Sequence, residues 1–217
     1  MLPDDTRRKI ENITSGALIE GQSDHCTAIR NFLCQSFATS KTVKKDFESQ
    51  AVVKEEQVII LESYCEKNGL WRHRPSHDRY LTRGGEAEVY LDIDNRHVIK
   101  VNEGVYYATW LEFFNSILLH NLFFQNTSYE ILGFLKENNF LFAVLRQQFI
   151  HSDALVDLSD IKKILEFNGF QSSRRNDYIH KSLGLILEDM HDENVLVNSD
   201  TLFFIDTVFY TITPENK

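Results

Sequence analysis

Leu183 to Val208 reads LGLILEDMHDENVLVNSDTLFFIDTV, and the fold turns on how that stretch is read. Asp189 stands five residues ahead of Asn194, the apolar run Val195-Leu196-Val197 follows, and Asn198-Ser199-Asp200 leads into a second apolar run, Leu202 to Ile205, that delivers Asp206. Two short apolar runs around a polar turn predict a β-hairpin. The hairpin brings the loop holding Asp189 and Asn194 alongside Asp206, so three oxygen-bearing side chains converge. Asn and Asp oxygens are hard ligands suited to Mg²⁺, which takes one or two carboxylates plus substrate phosphates. Asn194 and Asp206 are therefore the metal candidates, and Asp189 is left to accept or orient the proton of an attacking hydroxyl. The plainer reading is a hairpin with acidic residues at its ends by chance.

Outward from this stretch, a chain of 217 residues with 42% hydrophobic and 25% charged side chains predicts one soluble globular domain with an extension. The formal net charge of −9 disfavours nucleic acid as a main partner, because a phosphate backbone needs a broad basic footprint. A nucleotide needs only a few local cations. Three cysteines, Cys26, Cys34 and Cys65, lack CxxC spacing and fit reduced thiols in a cytoplasm. The start, MLPDDTRRKIEN, has no apolar leader, and the apolar runs are too short to span a membrane, so no membrane partner is expected.

Residues 1–70 read as an N-terminal helical extension. Asp24 is an N-cap candidate, with Ile29, Phe32, Leu33 and Phe37 at helical spacing, and KEEQVIILESYCEKNGLW places Val58, Leu61 and Cys65 on one face before the stop Asn68-Gly69. Between them SFATSKTVKKDFESQ, residues 36–50, is expected to be an exposed loop. Neither His25-Cys26 nor His73 and His77, with Pro75 between them, has the partners a zinc site needs.

Residues 71–150 read as a sheet with one helix. YLTRGGEAEVYLDIDNRHVIKV, Tyr80 to Val101, holds the adjacent glycines Gly84 and Gly85, a turn at Asp94-Asn95 and a strand bearing Lys100. Such a hairpin lets backbone N–H groups approach phosphates, and Lys100 can meet the α and β phosphates, although glycine hairpins with a lysine are common. Thr109 to Phe124 should form the next helix. Glu112 has two readings there: carboxylate partner of Lys100, or the reciprocal half of a capping box with Thr109. Glu86 and Glu103 are alternative partners. Tyr129 to Phe134 and Phe140 to Arg146 read as strands joined by a turn, followed at Gln147 to Ile150 by a hinge. Residues 151–217 then supply a short helix, Leu158 to Phe167, closed by Asn168-Gly169, a strand pair within Asp177 to Leu187, and the opening stretch.

The order of glycine hairpin, strand lysine, helix, strands, D-x-x-x-x-N and Asp resembles the protein-kinase-like superfamily. DMHDEN (189 to 194 from its Asp) resembles the catalytic loop of aminoglycoside phosphotransferases, and GGEAEVY (84 to 90) is similar to the glycine turn of RIO kinases, with Ala87 in place of the last glycine. TWLEFFNSILLHNLFFQNTSYEILGF, then RQQFI, DMHDENVLV and FFIDT, resemble the kinase domain of polyvalent proteins found in bacterial mobile elements and phages, from about Trp71 to Tyr210. DHCTAIRNFLC resembles the helical preface of that family. The resemblance implies an α+β, reduced bilobal kinase-like fold: an antiparallel N-lobe sheet, a truncated C-lobe and a helical extension. It further implies ATP and Mg²⁺ as cofactors, with Lys100 and Asp189 catalytic and Asn194 and Asp206 on the metal. The nucleotide would meet Gly84, Gly85, Glu86, Ala87, Val89, Lys100 and Glu112, with adenine on the main chain around Gln148 and Ile150.

Three departures from the kinase pattern stand out. Leu187 replaces the histidine of H-x-D, which supports the loop; Thr207 follows Asp206 where protein kinases have Phe-Gly; and the chain ends eleven residues after Asp206, with no peptide-docking lobe. The acceptor is then held by the extension, by a second chain as in a homodimer, or by very little. The leading expectation is transfer from ATP to a protein hydroxyl, self included. The alternatives are a small-molecule kinase, a nucleotide-binding module without turnover, and a nucleotidyl transferase.

Overall fold

Apolar spacing and capping decide the helices. Helix α1 (Asp4–Ser15) buries Ile10 and Ile13 and stops at Gly16, whose φ of 72° suits a left-handed cap. Helix α2 (His25–Lys41) opens on Asp24, which accepts from Thr27 N at 2.7 Å, and buries Ile29 and Leu33. Helix α3 (Gln50–Asn68) buries Leu61 and Cys65 and packs Tyr64 on Phe32 of α2. The computed structural model describes residues 3–21, 24–41 and 50–212. Of the loop expected over 36–50, residues 36–41 belong to α2 and Gln50 opens α3, while 42–49 lie outside the described residues, as does the Phe37 side chain.

Strands β1 (Tyr80–Arg83), β2 (Ala87–Leu91) and β3 (His97–Asn102) precede helix α4 (Trp110–Phe123), and β4 (Glu130–Glu137) and β5 (Phe140–Gln148) follow it. They form an antiparallel sheet in the order β1-β2-β3-β5-β4. The β4–β5 turn is Asn138-Asn139, both at positive φ, the conformation a two-residue hairpin requires. One sheet face carries Tyr90, Ile99, Val101, Leu135 and Val144. Register puts Ala87, Asn102, Ala143 and Phe134 on the other face, where Trp110 and Phe114 of α4 pack edge-on against Phe134.

Helix α5 (Leu158–Phe167) is capped by Asp157, which accepts from Ser159 N. Strands β6 (Gln171–Ser172), β7 (Tyr178–His180), β8 (Leu185–Glu188) and β11 (Val208–Thr211) form a sheet in the order β11-β8-β7-β6, and β9 (Val195–Asn198) pairs with β10 (Thr201–Phe204). The strands predicted within Asp177 to Leu187 are β7 and β8. Phe124 stacks on Phe204 and Phe123 on Phe209 at centroid distances of 4.2 and 5.6 Å.

The chain divides into two compact units. One comprises Met1–Ile19, Asn115–Ser128 and Ile150–Lys217, and the other Glu20–Phe114 and Tyr129–Phe149. The described residues are α+β, with five helices and antiparallel sheets. Among them no helix is long and apolar enough to cross a membrane.

Candidate active site

In the unit containing Ile150–Lys217, β8 ends at Glu188 and the chain turns sharply at Asp189, whose φ of 62° is unusual for a residue with a side chain. Contacts on both sides hold that turn. Asp189 N donates to Asp177 Oδ1 at 3.3 Å, and the next residue, Met190, is buried and donates its N–H to Asn176 O at 3.0 Å. A non-glycine residue keeps such a conformation only where its surroundings over-determine it. The carboxylate itself stays 63% exposed. Burial and the neighbouring Asp177 and Asp189 carboxylates raise the pKa of Glu188 above the ordinary glutamate value.

Asn194 is the hub of this loop. Its side-chain amide donates to Asp189 O at 2.8 Å and more weakly to Asp189 Oδ2 at 3.4 Å. Its main-chain oxygen accepts from Ile205 N at 2.9 Å and Asp206 N at 3.3 Å, continuing the register in which Val195 faces Phe204. Asp189, Asn194 and Asp206 are thus brought together by one residue's side chain and backbone. The turn Ser199-Asp200, both at positive φ, closes the hairpin, and Asp153 caps it by accepting from Ser199 N at 2.9 Å.

His191 was legible in the motif but had no assigned role. Glu193 N donates to its Nδ1 at 3.2 Å, so the neutral ring carries its proton on Nε2, 3.3 Å from Asp189 Oδ2. His191 Nε2 thus faces the Asp189 carboxylate at ion-pair distance. The 3.2 Å approach of Asn194 Nδ2 to the same ring nitrogen is then a contact between two donors, not a hydrogen bond.

The donor chemistry fits a hard divalent cation. With the Asn194 nitrogen turned to Asp189, its Oδ1 is the remaining ligand atom, and Asp206 adds a carboxylate; two protein oxygens leave positions for water and phosphate.

In the other unit, Gly84 N donates to Ala87 O at 2.9 Å and closes the turn between β1 and β2. A Cβ at Gly85 would lie 1.8 Å from Tyr106 Oη, so a side chain there would force Tyr106 aside. Glu86 turns inward: it is 6% exposed, and its carboxylate accepts from Asn102 Nδ2 at 3.0 Å. Ala87 and Val89 lie directly opposite Asn102 and Lys100, and Lys100 in turn faces Leu145. Paired residues of antiparallel strands share a face, so Val89 and Lys100 are on one side of the sheet. Lys100 is 6% exposed and donates to Tyr129 Oη at 3.2 Å.

Glu112 caps the start of α4 in a variant of the capping box: Thr109 Oγ1 accepts from Glu112 N at 3.1 Å, but the carboxylate accepts from Ala108 N at 2.9 Å, one residue before the N-cap amide that the expected box uses. Glu103 pairs with Arg83. Gln148 is exposed at the end of β5, opposite His97, and this unit ends at Phe149; Ile150, buried, begins a segment of the other.

Two side chains of the extension serve this unit without any signal in the sequence. Lys54 donates to Gly104 O and Tyr107 O at 2.6 and 2.8 Å, and Gln57 Oε1 accepts from Leu111 N at 3.2 Å, meeting an amide that the first turn of α4 leaves unpaired. Burial lowers the pKa of Lys54, and Glu86 and Glu112 work against that shift. Asp92, Asp94 and His97 also bring possible ligand atoms together, but Arg146 donates to both carboxylates at 2.8 and 2.6 Å and occupies that cluster.

None of the curated proteins matches the chain. A family model described as Serine/Threonine/Tyrosine Kinase found in polyvalent proteins matches residues 54–213, a span that takes in most of α3, the glycine turn, Lys100 and the whole Asp189 to Asp206 loop. That span is well over half of the 217 residues, and the chain belongs to this kinase family of polyvalent proteins.

Proposed function

We propose that the chain is an ATP- and Mg²⁺-dependent phosphotransferase that moves the γ-phosphoryl group to a hydroxyl of a protein, its own chain included. The observation that carries this reading is the Asn194 hub, whose amide meets Asp189 and whose carbonyl meets the Asp206 amide. In this reading Asp189 takes the proton of the acceptor hydroxyl, with His191 Nε2 beside its carboxylate at 3.3 Å. The acceptor oxygen bonds to the γ-phosphorus as the bond to the β–γ bridging oxygen breaks, and ADP leaves. Lys100 holds the α and β phosphates. Gly84, Gly85, Glu86, Ala87 and Val89 frame the phosphates, Glu112 fixes the start of α4, and the main chain near Gln148 and Ile150 receives adenine. Asn194 and Asp206 would hold Mg²⁺, which when bound offsets charge on the phosphoryl oxygens.

The test is parent protein with Mg²⁺ and γ-labelled ATP, alone and with cell lysate, beside Asp189→Ala. Label on the chain or on a protein band is expected, reduced in the variant by about 10² to 10⁴, the usual worth of a positioned base. Equal labelling by Asp189→Ala overturns the assignment. Label in a soluble metabolite means a small-molecule kinase, nucleotide binding without transfer means a binding module, and transfer from α-labelled ATP means a nucleotidyl transferase.

A further inference from the structure

Helix α4 is apolar, yet it carries two buried polar side chains one turn apart, Ser116 and His120, and the chemistry above uses neither. Both meet the segment around Asp206. His120 Nε2 lies 2.9 Å from Thr127 O and Nδ1 lies 2.8 Å from Thr207 Oγ1. A carbonyl only accepts, so Nε2 carries the proton, and the neutral ring accepts at Nδ1 from the Thr207 hydroxyl. Thr127 Oγ1 donates to Phe204 O at 2.6 Å, and Ser116 Oγ accepts from Phe209 N at 2.9 Å. His120, Thr127, Ser116 and Thr207 are all buried, so breaking any of these bonds leaves a polar group without water to replace its partner.

Asp206 sits in a three-residue connector, Ile205 to Thr207, between β10 and β11. Backbone pairing with Asn194 fixes the approach to it, and the Thr207 contact, followed by the pairing of Val208 with Glu188 of β8, fixes the exit. A metal carboxylate needs that kind of support, because groups hydrogen-bonded behind a ligand set its orientation. We propose that His120 is a positioning residue of the metal site, holding Asp206 in place through the hydroxyl of Thr207; this rests on the phosphotransferase reading.

The experiment uses the full chain and four variants: Thr207→Val, which keeps shape and loses the hydroxyl, Thr207→Ser, which keeps the hydroxyl, His120→Asn, and Asp206→Asn as reference. Two quantities are measured: the Mg²⁺ concentration that half-saturates thermal stabilisation by ATP, and amide hydrogen exchange of the 203–209 segment without nucleotide. Thr207→Val is expected to raise the Mg²⁺ midpoint by about 10- to 100-fold, the usual effect of losing a group that supports a ligand, and to speed exchange. Thr207→Ser should return both to parent values. His120→Asn keeps an acceptor for Thr207 but gives up the Thr127 bond, and should move both quantities in the same direction by less. Unchanged exchange in Thr207→Val overturns the proposal, and so does faster exchange with the parent's Mg²⁺ midpoint, which would make the contact purely structural. A parent with no Mg²⁺-dependent response to ATP, matched by Asp206→Asn, overturns the phosphotransferase reading itself and with it any metal role for His120.

Discussion

Replacing Asn194 tests the loop and its ligand at once, because one side chain has two separable tasks. Asn194→Leu removes the donor at 2.8 Å from Asp189 O and at 3.4 Å from Asp189 Oδ2. At about 0.5–1.5 kcal/mol per hydrogen bond, with the longer one near the low end, the cost is about 1–2 kcal/mol. For a chain of this size each kcal/mol is worth about 2–4 °C, so the melting temperature should fall by about 2–8 °C. The second task is ligation. At a nucleotide concentration a hundredfold above Kd the parent gains about 2.7 kcal/mol, or roughly 5–11 °C, and leucine cannot supply that gain. Asn194→Asp goes the other way. It puts a second carboxylate about 3.4 Å from Asp189 Oδ2, a repulsion of about 1 kcal/mol at an exposed site that Mg²⁺ relieves. Differential scanning fluorimetry with ATP, with and without Mg²⁺, reads both effects. The aspartate variant should gain more from Mg²⁺ than the parent and the leucine variant least. A leucine variant that keeps the parent's Mg²⁺-dependent stabilisation refutes the reasoning.

Two further outcomes concern stability. Gly133 has a φ of 147°, and a Cβ there would lie 2.0 Å from Leu70 O, the acceptor for Phe134 N; backbone strain plus two disturbed hydrogen bonds give about 2–5 kcal/mol for Gly133→Ala. A circular-dichroism melt should show a drop of roughly 5–20 °C, and a variant that melts with the parent contradicts the packing described. Burial, aided by Arg7, holds the His180 imidazole below its ordinary 6.5, although the main-chain carbonyls of His180 and Asn168 push it up. The unfolded chain then binds the proton more readily, so this contribution is complete above pH 6.5 and is lost as pH falls toward the folded value. Melting temperatures between pH 8 and 5 should fall less in His180→Gln than in the parent; parallel curves refute it.

Much of the architecture is written locally. The Asn198-Ser199-Asp200 turn between apolar runs, the Asn138-Asn139 turn, the stop at Asn68-Gly69 and the span Leu158 to Phe167 each depend on residues within one or two turns of one another, and periodicity and φ preference suffice to find them. The loop expected over 36–50 fails at its start for the same reason in reverse. Polar composition does not by itself end a helix, and α2 continues to Lys41.

Glu112 shows where sequence stops. A capping box and a lysine partner call for the same residue type, and only the folded chain displays the Ala108 and Thr109 hydrogen bonds. The polar contacts between distant residues were invisible for a different reason. His120 with Thr207, Lys54 with Gly104 and Gln57 with Leu111 are paired by tertiary packing across long stretches of chain. Nothing in the spacing of a single buried histidine or glutamine names its acceptor, because a buried polar group takes whichever partner the packed elements bring to it. The sequence by itself determined which residue types bear oxygens and cations and the order in which they occur. The tertiary structure alone decided which backbone and side-chain groups hold them still.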